Sequence, residues 1–74
     1  MIMGVYAVIQ ISPNVQNTAR NYVFKPNDYE NIYLAMMNIT GGDHEIAQEA
    51  ASWCEIATIG ETYEFREGRI EICA

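Results

Sequence analysis

Residues 27–60 read NDYENIYLAMMNITGGDHEIAQEAASWCEIATIG, and this stretch decides the fold. Apolar residues recur at intervals of three and four on both sides of the pair Gly41-Gly42, a spacing typical of amphipathic helices. A glycine pair stops a helix because glycine adopts the left-handed backbone conformation without strain. The sequence therefore predicts two helices joined by a tight turn, and the segments on either side carry the patterns of strands.

The first helix is predicted to use Asn27 as its N-cap and to end at Thr40. Glu30, an acid in the first turn, favours the positive end of the helix dipole. Leu34 lies off the apolar stripe and is expected to be exposed or to be covered by something other than the core. The stripe predicted to be buried comprises Tyr29, Ile32, Tyr33, Met36, Ile39 and Thr40.

The second helix is predicted to begin with Asp43 as its N-cap and to close at Gly60. Its predicted inner face holds Ile46, Ala50, Trp53, Cys54 and Ala57. The opposite face is acidic and holds Glu45, Gln48, Glu49, Ser52 and Glu55. This helix should approach its neighbour closely because it contains four alanines.

Strands are predicted before the helices at residues 3–11 and 20–25, separated by a polar loop at 13–19. The first strand is expected to be central because both of its faces are mostly apolar. The second strand ends before Pro26, which disfavours further pairing. These two strands are expected to form a hairpin.

The segment after the helices is predicted to form a second hairpin, with strands at 62–66 and 69–73 around a Glu67-Gly68 turn. A two-residue turn at that position pairs Phe65 with Ile70 and Tyr63 with Ile72. It also places like charges opposite each other, Glu64 against Glu71 and Arg66 against Arg69. A longer loop with a bulge is the open alternative.

The resulting order ββααββ predicts an α+β fold, with an antiparallel sheet of about four strands and two helices packed on one face. Residues 1–74 are expected to form a single domain. A domain of this size has a core that supplies only about 3 to 5 kcal/mol of net stability. The five tyrosines are expected at the edge of this core, where the ring is buried and the hydroxyl reaches water.

Charge is distributed unevenly along the chain. The forty residues between Lys25 and Arg66 contain no Lys or Arg but eight acids, and the net charge is −6. Direct binding to nucleic acid or to an anionic membrane is disfavoured, because both need clustered Lys and Arg. The four basic residues could at most form a small patch, if the strands that carry them are neighbours. No apolar run approaches the about 18 to 20 residues of a membrane span.

The cysteine content does not indicate a secreted, disulfide-rich domain. The chain has two cysteines, Cys54 and Cys73, and its first residues lack the basic flank and apolar length of a signal peptide. We expect a cytoplasmic protein with free thiols. A bridge between Cys54 and Cys73 stays open at this point.

Catalytic and metal-binding patterns are weak. The single histidine, His44, is flanked by acids, but neighbouring residues of a helix point in different directions, so a surface histidine in a capping turn is favoured over a metal ligand. His44 and Cys54 lie about 15 Å apart along one helix and cannot form a dyad within it. Glu64 and Glu71 are interpreted as a solvated hairpin face. We expect a non-enzymatic protein without metal or cofactor.

Ile56 and Ile59 interrupt the acidic side of the second helix. Two interpretations are open. If the helix frays near residue 57, both side chains tuck under the last hairpin. Otherwise they form an apolar anchor inside an acidic rim, which is the usual composition of a protein interface.

In size, acidity and lack of chemical motifs, the whole chain resembles the small inhibitors encoded by phages and mobile elements, such as anti-CRISPR and anti-restriction proteins. This resemblance implies an inhibitor that occupies a nucleic-acid-binding groove, with carboxylates in place of phosphates. The expected partner is a basic protein, such as a nuclease or a nucleic-acid-binding complex. The residues expected to contact it are Glu45, Glu49, Glu55, Ile56, Ile59 and Glu61.

A second hypothesis is a structural or regulatory module that self-associates, for example as a homodimer. Its basis is a surplus of apolar residues in a chain with a thin core, including Leu34 and Met37. In that case the acidity would serve solubility.

Overall fold

A computed structural model describes residues 4–12 and 20–74. The strands are β1 (Tyr6–Ile11), β2 (Arg20–Phe24), β3 (Thr62–Phe65) and β4 (Gly68–Cys73), and the helices are α1 (Tyr29–Thr40) and α2 (His44–Ile56). The predicted ββααββ order and α+β class are confirmed. The predicted loop at 13–19 and the predicted strand start at residue 3 lie outside the described residues.

The four strands form one antiparallel sheet in the order β2-β1-β4-β3. β1 is central, as its apolar composition predicted. Its alternate residues Ala7, Ile9 and Ile11 are buried, and they share one core with β4 and both helices. Val8 and Gln10 lie on the opposite face and are half-buried. One face of the sheet is therefore covered by the helices, and the other is open.

Helix α1 is capped one residue later than predicted. The N-cap is Asp28, not Asn27, because Asn27 belongs to a turn closed by the hydrogen bond from Asp28 N to the Lys25 carbonyl (3.0 Å). The helix ends at Thr40, as predicted, with Gly41 in the left-handed conformation (φ 72°). Ile32, Met36 and Ile39 of the predicted stripe are buried, whereas Leu34 is 56% exposed.

Helix α2 begins as predicted, with the Asp43 carboxylate accepting a hydrogen bond from Ile46 N at 3.2 Å. The predicted end at Gly60 is wrong, because α2 stops at Ile56. The backbone N–H of Thr58 donates to the Glu61 carboxylate (2.7 Å) and not to a helix carbonyl. This side-chain acceptor supports the early departure of the chain from the helix.

The buried face of α2 is rotated from the predicted one. Ala47, Ala50, Ala51 and Cys54 are fully buried. Ile46, Trp53 and Ala57, which were predicted to be buried, are only partly so. The helix contacts α1 on one side and β3 on the other, so its narrow alanine strip lies deepest and the larger side chains cover the rim.

The register of the last hairpin differs by two residues from the prediction. Tyr63 pairs with Ile70, Glu64 with Arg69 and Phe65 with Gly68, so the turn is Arg66-Glu67. Gly68 is needed inside β4, because a Cβ there would overlap the Gln10 carbonyl oxygen of β1. The predicted opposition of like charges is therefore wrong, and Glu64 faces a cation.

The tyrosines lie where the composition predicted, with one exception. Tyr22, Tyr29, Tyr33 and Tyr63 are half-buried around the core. Tyr6, on the open face of the sheet, is 40% exposed. Several of the half-buried rings lie against other rings: Tyr22 against Phe24, Tyr29 against Tyr33 and Trp53 against Tyr63.

Neither helix in residues 4–12 and 20–74 has the length and apolar character needed to cross a membrane.

Candidate functional site

The six residues predicted to contact a partner lie along α2 and in the turn that leads from α2 to β3, and all six are exposed. We call this surface the acidic face; it comprises Glu45, Glu49, Glu55, Ile56, Ile59 and Glu61. Glu45, Glu49 and Ile56 share one stripe of the helix because their spacings of four and seven residues return to the same side. The residues differ in what they contact within the molecule.

Glu49 is joined to the edge strand β3. The hydroxyl of Tyr63 donates a hydrogen bond to Glu49 Oε1 at 2.6 Å. The ring of Tyr63 also lies against Trp53 of α2, with 5.6 Å between ring centroids. One end of the Glu49 carboxylate is thus held in place, and α2 is fixed over β3.

Glu61 shapes the turn between α2 and β3. Its Oε1 accepts hydrogen bonds from Thr58 N at 2.7 Å and from Thr58 Oγ1 at 3.1 Å. The backbone closes the same turn, with Glu61 N donating to the Thr58 carbonyl at 3.0 Å. Ile59 lies inside this closed turn, so its backbone is held before any partner arrives. Such preorganisation lowers the entropy lost on binding.

Ile56 and Ile59 are the most prominent apolar side chains of the acidic face. Ile56 is 80% exposed and Ile59 is 59% exposed. The interpretation in which both tuck under the last hairpin is wrong, although α2 does end at Ile56 as that interpretation assumed. The chain turns away at Ala57 with an extended backbone (φ −73°, ψ 151°), which leaves both isoleucines outside the core.

The side chains of Glu45 and Glu55 make no hydrogen bond or ion pair with any described residue. Glu45 is in the first turn of α2, where its charge favours the helix dipole. Glu55 is in the last turn, where a negative charge meets the negative end of the dipole and no basic residue compensates it. The charge of Glu55 therefore does not stabilise the helix that carries it.

The pKa of the Tyr63 hydroxyl is raised by its surroundings at the junction of α2 and β3. Burial raises the pKa of its hydroxyl above the usual value of 10.0, and the hydrogen bond to Glu49 and the charges of Glu49 and Asp43 raise this pKa further. Two carboxylates therefore act on one phenol.

The basic side chains that the structure describes are Lys25, Arg66 and Arg69, and none lies on a helix. Arg69 Nε donates to Gln10 Oε1 at 3.1 Å, and its Nη2 lies 4.0 Å from Glu71 Oε1, on the open face of the sheet. The strands that carry Arg20 and Arg69 flank β1 on opposite sides. None of the described basic side chains forms an ion pair with a residue of the acidic face.

His44 is exposed and lies in the first turn of α2, as predicted. Its Nδ1 is 2.6 Å from the Tyr33 hydroxyl in a hydrogen bond, and the two rings meet edge to face with 5.6 Å between centroids. This contact joins the start of α2 to α1. Within residues 4–12 and 20–74, no three His, Cys, Asp or Glu side chains are grouped so that they could hold a metal ion.

Both thiols are free, and the bridge between them that the sequence left open is not formed. Cys54 is fully buried, and burial raises the pKa of its thiol from 9.0 to about 11. A thiol with this pKa is a poor nucleophile, because the thiolate is the reactive form. Cys73 is half-buried on the strand β4.

Two shallow grooves of the described residues lie away from the acidic face. The first is lined by Gln10, Ile11, Ser12, Glu64, Gly68 and Arg69. The second is lined by Gly4, Val5, Tyr6, Lys25, Pro26 and Asn27. Neither groove is lined by His44 or a cysteine.

Sequence reasoning missed two contributors to the candidate site. Tyr63 was assigned only to the hairpin, although its hydroxyl positions Glu49. β3 was not recognised as an edge strand beside α2. The hairpin prediction already placed Tyr63 on the buried face, but no sequence signal pairs it with Glu49.

Comparison of the chain with protein-family models, with curated proteins and with solved structures finds no match.

Proposed function

We propose that this chain is a small, non-enzymatic binding protein whose acidic face engages a basic protein that handles nucleic acid. Binding there would occupy the nucleic-acid-binding surface of the partner and inhibit it, in the manner of anti-CRISPR and anti-restriction proteins. The observation that carries the proposal is the exposure of Ile56 and Ile59 beside Glu55 and Glu61, neither of which forms an ion pair with a described residue.

The two isoleucines supply apolar anchors, which charge alone does not provide. Charge attracts many basic proteins, whereas desolvated apolar anchors near the centre of an interface provide most of the binding energy. Ile56 and Ile59 stand beside Glu55 and Glu61 and fit this arrangement of apolar centre and polar rim. The carboxylates then speed association and select partners with a positive surface.

Capture from the native host followed by identification of the bound protein tests the proposal. The purified partner is then titrated at increasing salt, with and without a competing oligonucleotide. We expect binding to weaken with salt, because exposed charges are screened beyond about 10 Å at 0.1 M. The oligonucleotide should compete. Simultaneous binding of oligonucleotide and protein, or an affinity that salt does not change, would contradict the proposal.

Matched variants localise the contact. Ile56→Asp and Ile59→Asp should each weaken binding at least about tenfold, the loss expected for an anchor residue. Leu34→Asp is the control, because Leu34 is similarly exposed (56%) but lies on α1. Equal losses in all three variants would show that the acidic face is not the contact surface.

The alternative proposal is a self-associating module of structural or regulatory role. Val23 on β2, 58% exposed, and Leu34 on α1 supply apolar surface outside the acidic face. Sedimentation at tens of micromolar separates the two proposals, since a monomer at that concentration contradicts the alternative.

A further inference from the structure

The strand β3 forms one edge of the sheet, and no described strand pairs with its outer side. The hydrogen bond from Ile72 N to the Glu61 carbonyl (3.1 Å) sets the alternation of the ladder. In that alternation Tyr63 bonds to β4, whereas Thr62 and Glu64 direct their backbone N–H and C=O groups outward. An exposed edge of this kind is a template for a strand from another chain.

The side chains around this edge differ on its two faces. On the helix face, Tyr63 and Phe65 are half-buried and leave part of their rings at the rim, next to Trp53. On the open face, the exposed side chains are Thr62 and Glu64. An added strand would therefore meet aromatic rings with one set of alternate side chains and a carboxylate with the other.

Charge distinguishes this edge from the other one. β3 lies beside Glu49 of α2, which contacts Tyr63, and follows Glu61 directly in the chain. The opposite edge strand, β2, begins at Arg20 and is followed by Lys25. β3 contains no lysine or proline, two of the residues with which edge strands resist pairing, although it is short (four residues) and carries Glu64. β3 is itself followed by Arg66 and has Arg69 opposite Glu64, but three acids lie on or beside it (Glu49, Glu61 and Glu64), whereas residues 20–25 contain no acid. The balance of charge therefore favours β3 over β2 for a basic chain.

We propose that the outer edge of β3 is a docking site for an extended basic segment, which adds to the sheet as a fifth strand. Its apolar residues face Tyr63 and Phe65, and its alternate Lys or Arg residues face Glu64. This inference rests on the proposed function for the identity of the chain that supplies the segment. It adds that the partner offers a flexible basic strand, and that backbone pairing supplements the contacts of Ile56 and Ile59.

A defined peptide tests the edge without the partner. The probe is an eight-residue peptide of alternating valine and lysine, acetylated and amidated, added to the full chain labelled with nitrogen-15. We expect hydrogen exchange at the Thr62 and Glu64 amides to slow at least about tenfold, since pairing protects outward-facing amides. Unchanged exchange at saturating peptide, or protection at Asn21 and Val23 of β2, overturns the proposal.

Two methylated peptides control for simple charge attraction. One carries N-methyl groups on every valine and the other on every lysine, so each loses the donors of one edge only. Strand addition requires that one of them loses binding at least about tenfold and the other retains it. Equal binding by both overturns the proposal, because charge and apolar content are the same in both peptides.

Two matched substitutions in the protein, one on each edge strand, test the same proposal. Thr62→Pro removes an outward N–H of β3, and Asn21→Pro does the same on β2, while the inward ladder bonds remain. Thr62→Pro should lose the peptide and Asn21→Pro should keep it; the reverse overturns the proposal. If either variant fails to fold, the methylated peptides with the unaltered chain decide.

A further experiment tests whether a second copy of this chain occupies the edge. Two more outcomes separate this inference from the proposed function. Protection of Thr62 that rises with protein concentration, without peptide, assigns the edge to a second copy and overturns the proposal. If the peptide pairs with β3 but no nucleic-acid-handling protein of the host binds the chain, the docking site at β3 is supported and the proposed function is contradicted. If Thr62→Pro leaves binding of the partner unchanged, the proposed function is supported and the docking site at β3 is contradicted.

Discussion

The hydroxyl of Tyr63 on the edge strand β3 donates a 2.6 Å hydrogen bond to Glu49 on α2. This bond connects the outermost strand to the helix that carries the acidic face. It places the same carboxylate in both the structure of the domain and its candidate binding surface. The loss of that bond should therefore affect stability before any partner is considered.

Tyr63→Phe should lower the free energy of unfolding by about 1 kcal/mol, the typical net value of one hydrogen bond. Urea denaturation of the variant, of Glu49→Ala and of the double variant measures the coupling between the two residues. Glu45→Ala is the matched control on the same helix, since Glu45 has no partner among the described residues. Additive effects of Tyr63→Phe and Glu49→Ala would rule out a stabilising bond.

Tyr63 also predicts a loss of stability in alkali. The folded state holds the pKa of Tyr63 above its unfolded value, so the unfolded chain loses the proton first as pH rises. The stabilisation is therefore complete below about pH 10 and declines above it. Tyr63→Phe should show a shallower decline than the unaltered chain when unfolding is followed above pH 10. Identical slopes would contradict the assignment.

The raised pKa of Cys54 predicts a second loss of stability, which begins at a lower pH than the loss caused by Tyr63. Burial raises the pKa of Cys54 from 9.0 to about 11, so the free energy of unfolding should fall between these values. The slope is at most about 1.4 kcal/mol per pH unit, the limit for one proton. Cys54→Ala should abolish the slope between pH 9 and 10, whereas Cys73→Ala should retain it. Rapid reaction of Cys54 with a thiol reagent in the folded state would contradict its burial.

Gly68→Ala should destabilise the sheet. A Cβ at this position overlaps the Gln10 carbonyl oxygen, and both atoms belong to paired backbone that cannot move independently. We expect a loss above about 2 kcal/mol, within the range of severe single substitutions. Gly41→Ala is the comparison: its Cβ meets nothing within 4 Å, so only the left-handed backbone (φ +72°) is strained. That strain costs about 1 kcal/mol. Denaturation midpoints check both values.

Ile56→Asp and Ile59→Asp should leave the free energy of unfolding within about 0.5 kcal/mol of the unaltered value, because exposed positions rarely contribute more. Ile70→Ala is the contrasting variant, since Ile70 is fully buried and its truncation should cost about 2–5 kcal/mol. A large loss in Ile56→Asp would mean that the side chain is covered. It would also remove the basis for using this variant in binding experiments.

Much of the fold could be predicted because it depends on local patterns. The spacing of Ile32, Met36 and Ile39 was sufficient for the buried face of α1, and Asp43 and Gly41 marked where helices begin and end. The mostly apolar character of both faces of β1 predicted a central strand. These features need only a helix or strand period and the chemistry of a cap, which neighbouring residues in the chain supply.

The hairpin register could not be predicted in the same way. Its turn residues, Arg66-Glu67, are less typical of a tight turn than the adjacent Glu67-Gly68. Gly68 is placed by the close approach of β4 to β1, a contact between residues 58 positions apart in sequence. The exposure of Ile56 and Ile59 similarly depends on where α2 ends, which the Glu61 side chain helps to set.

By itself, the sequence determined the order of the elements, the face that α1 buries, the central place of β1, and the concentration of acids in a window free of Lys and Arg. The tertiary structure decided which acids are engaged: Tyr63 holds Glu49, and Thr58 holds Glu61. Among the described residues, it left the side chains of Glu45 and Glu55 without a partner and the outer side of β3 without a paired strand. The physical reason is range, because capping and periodicity act within a few residues, whereas exposure and strand order depend on contacts between distant segments.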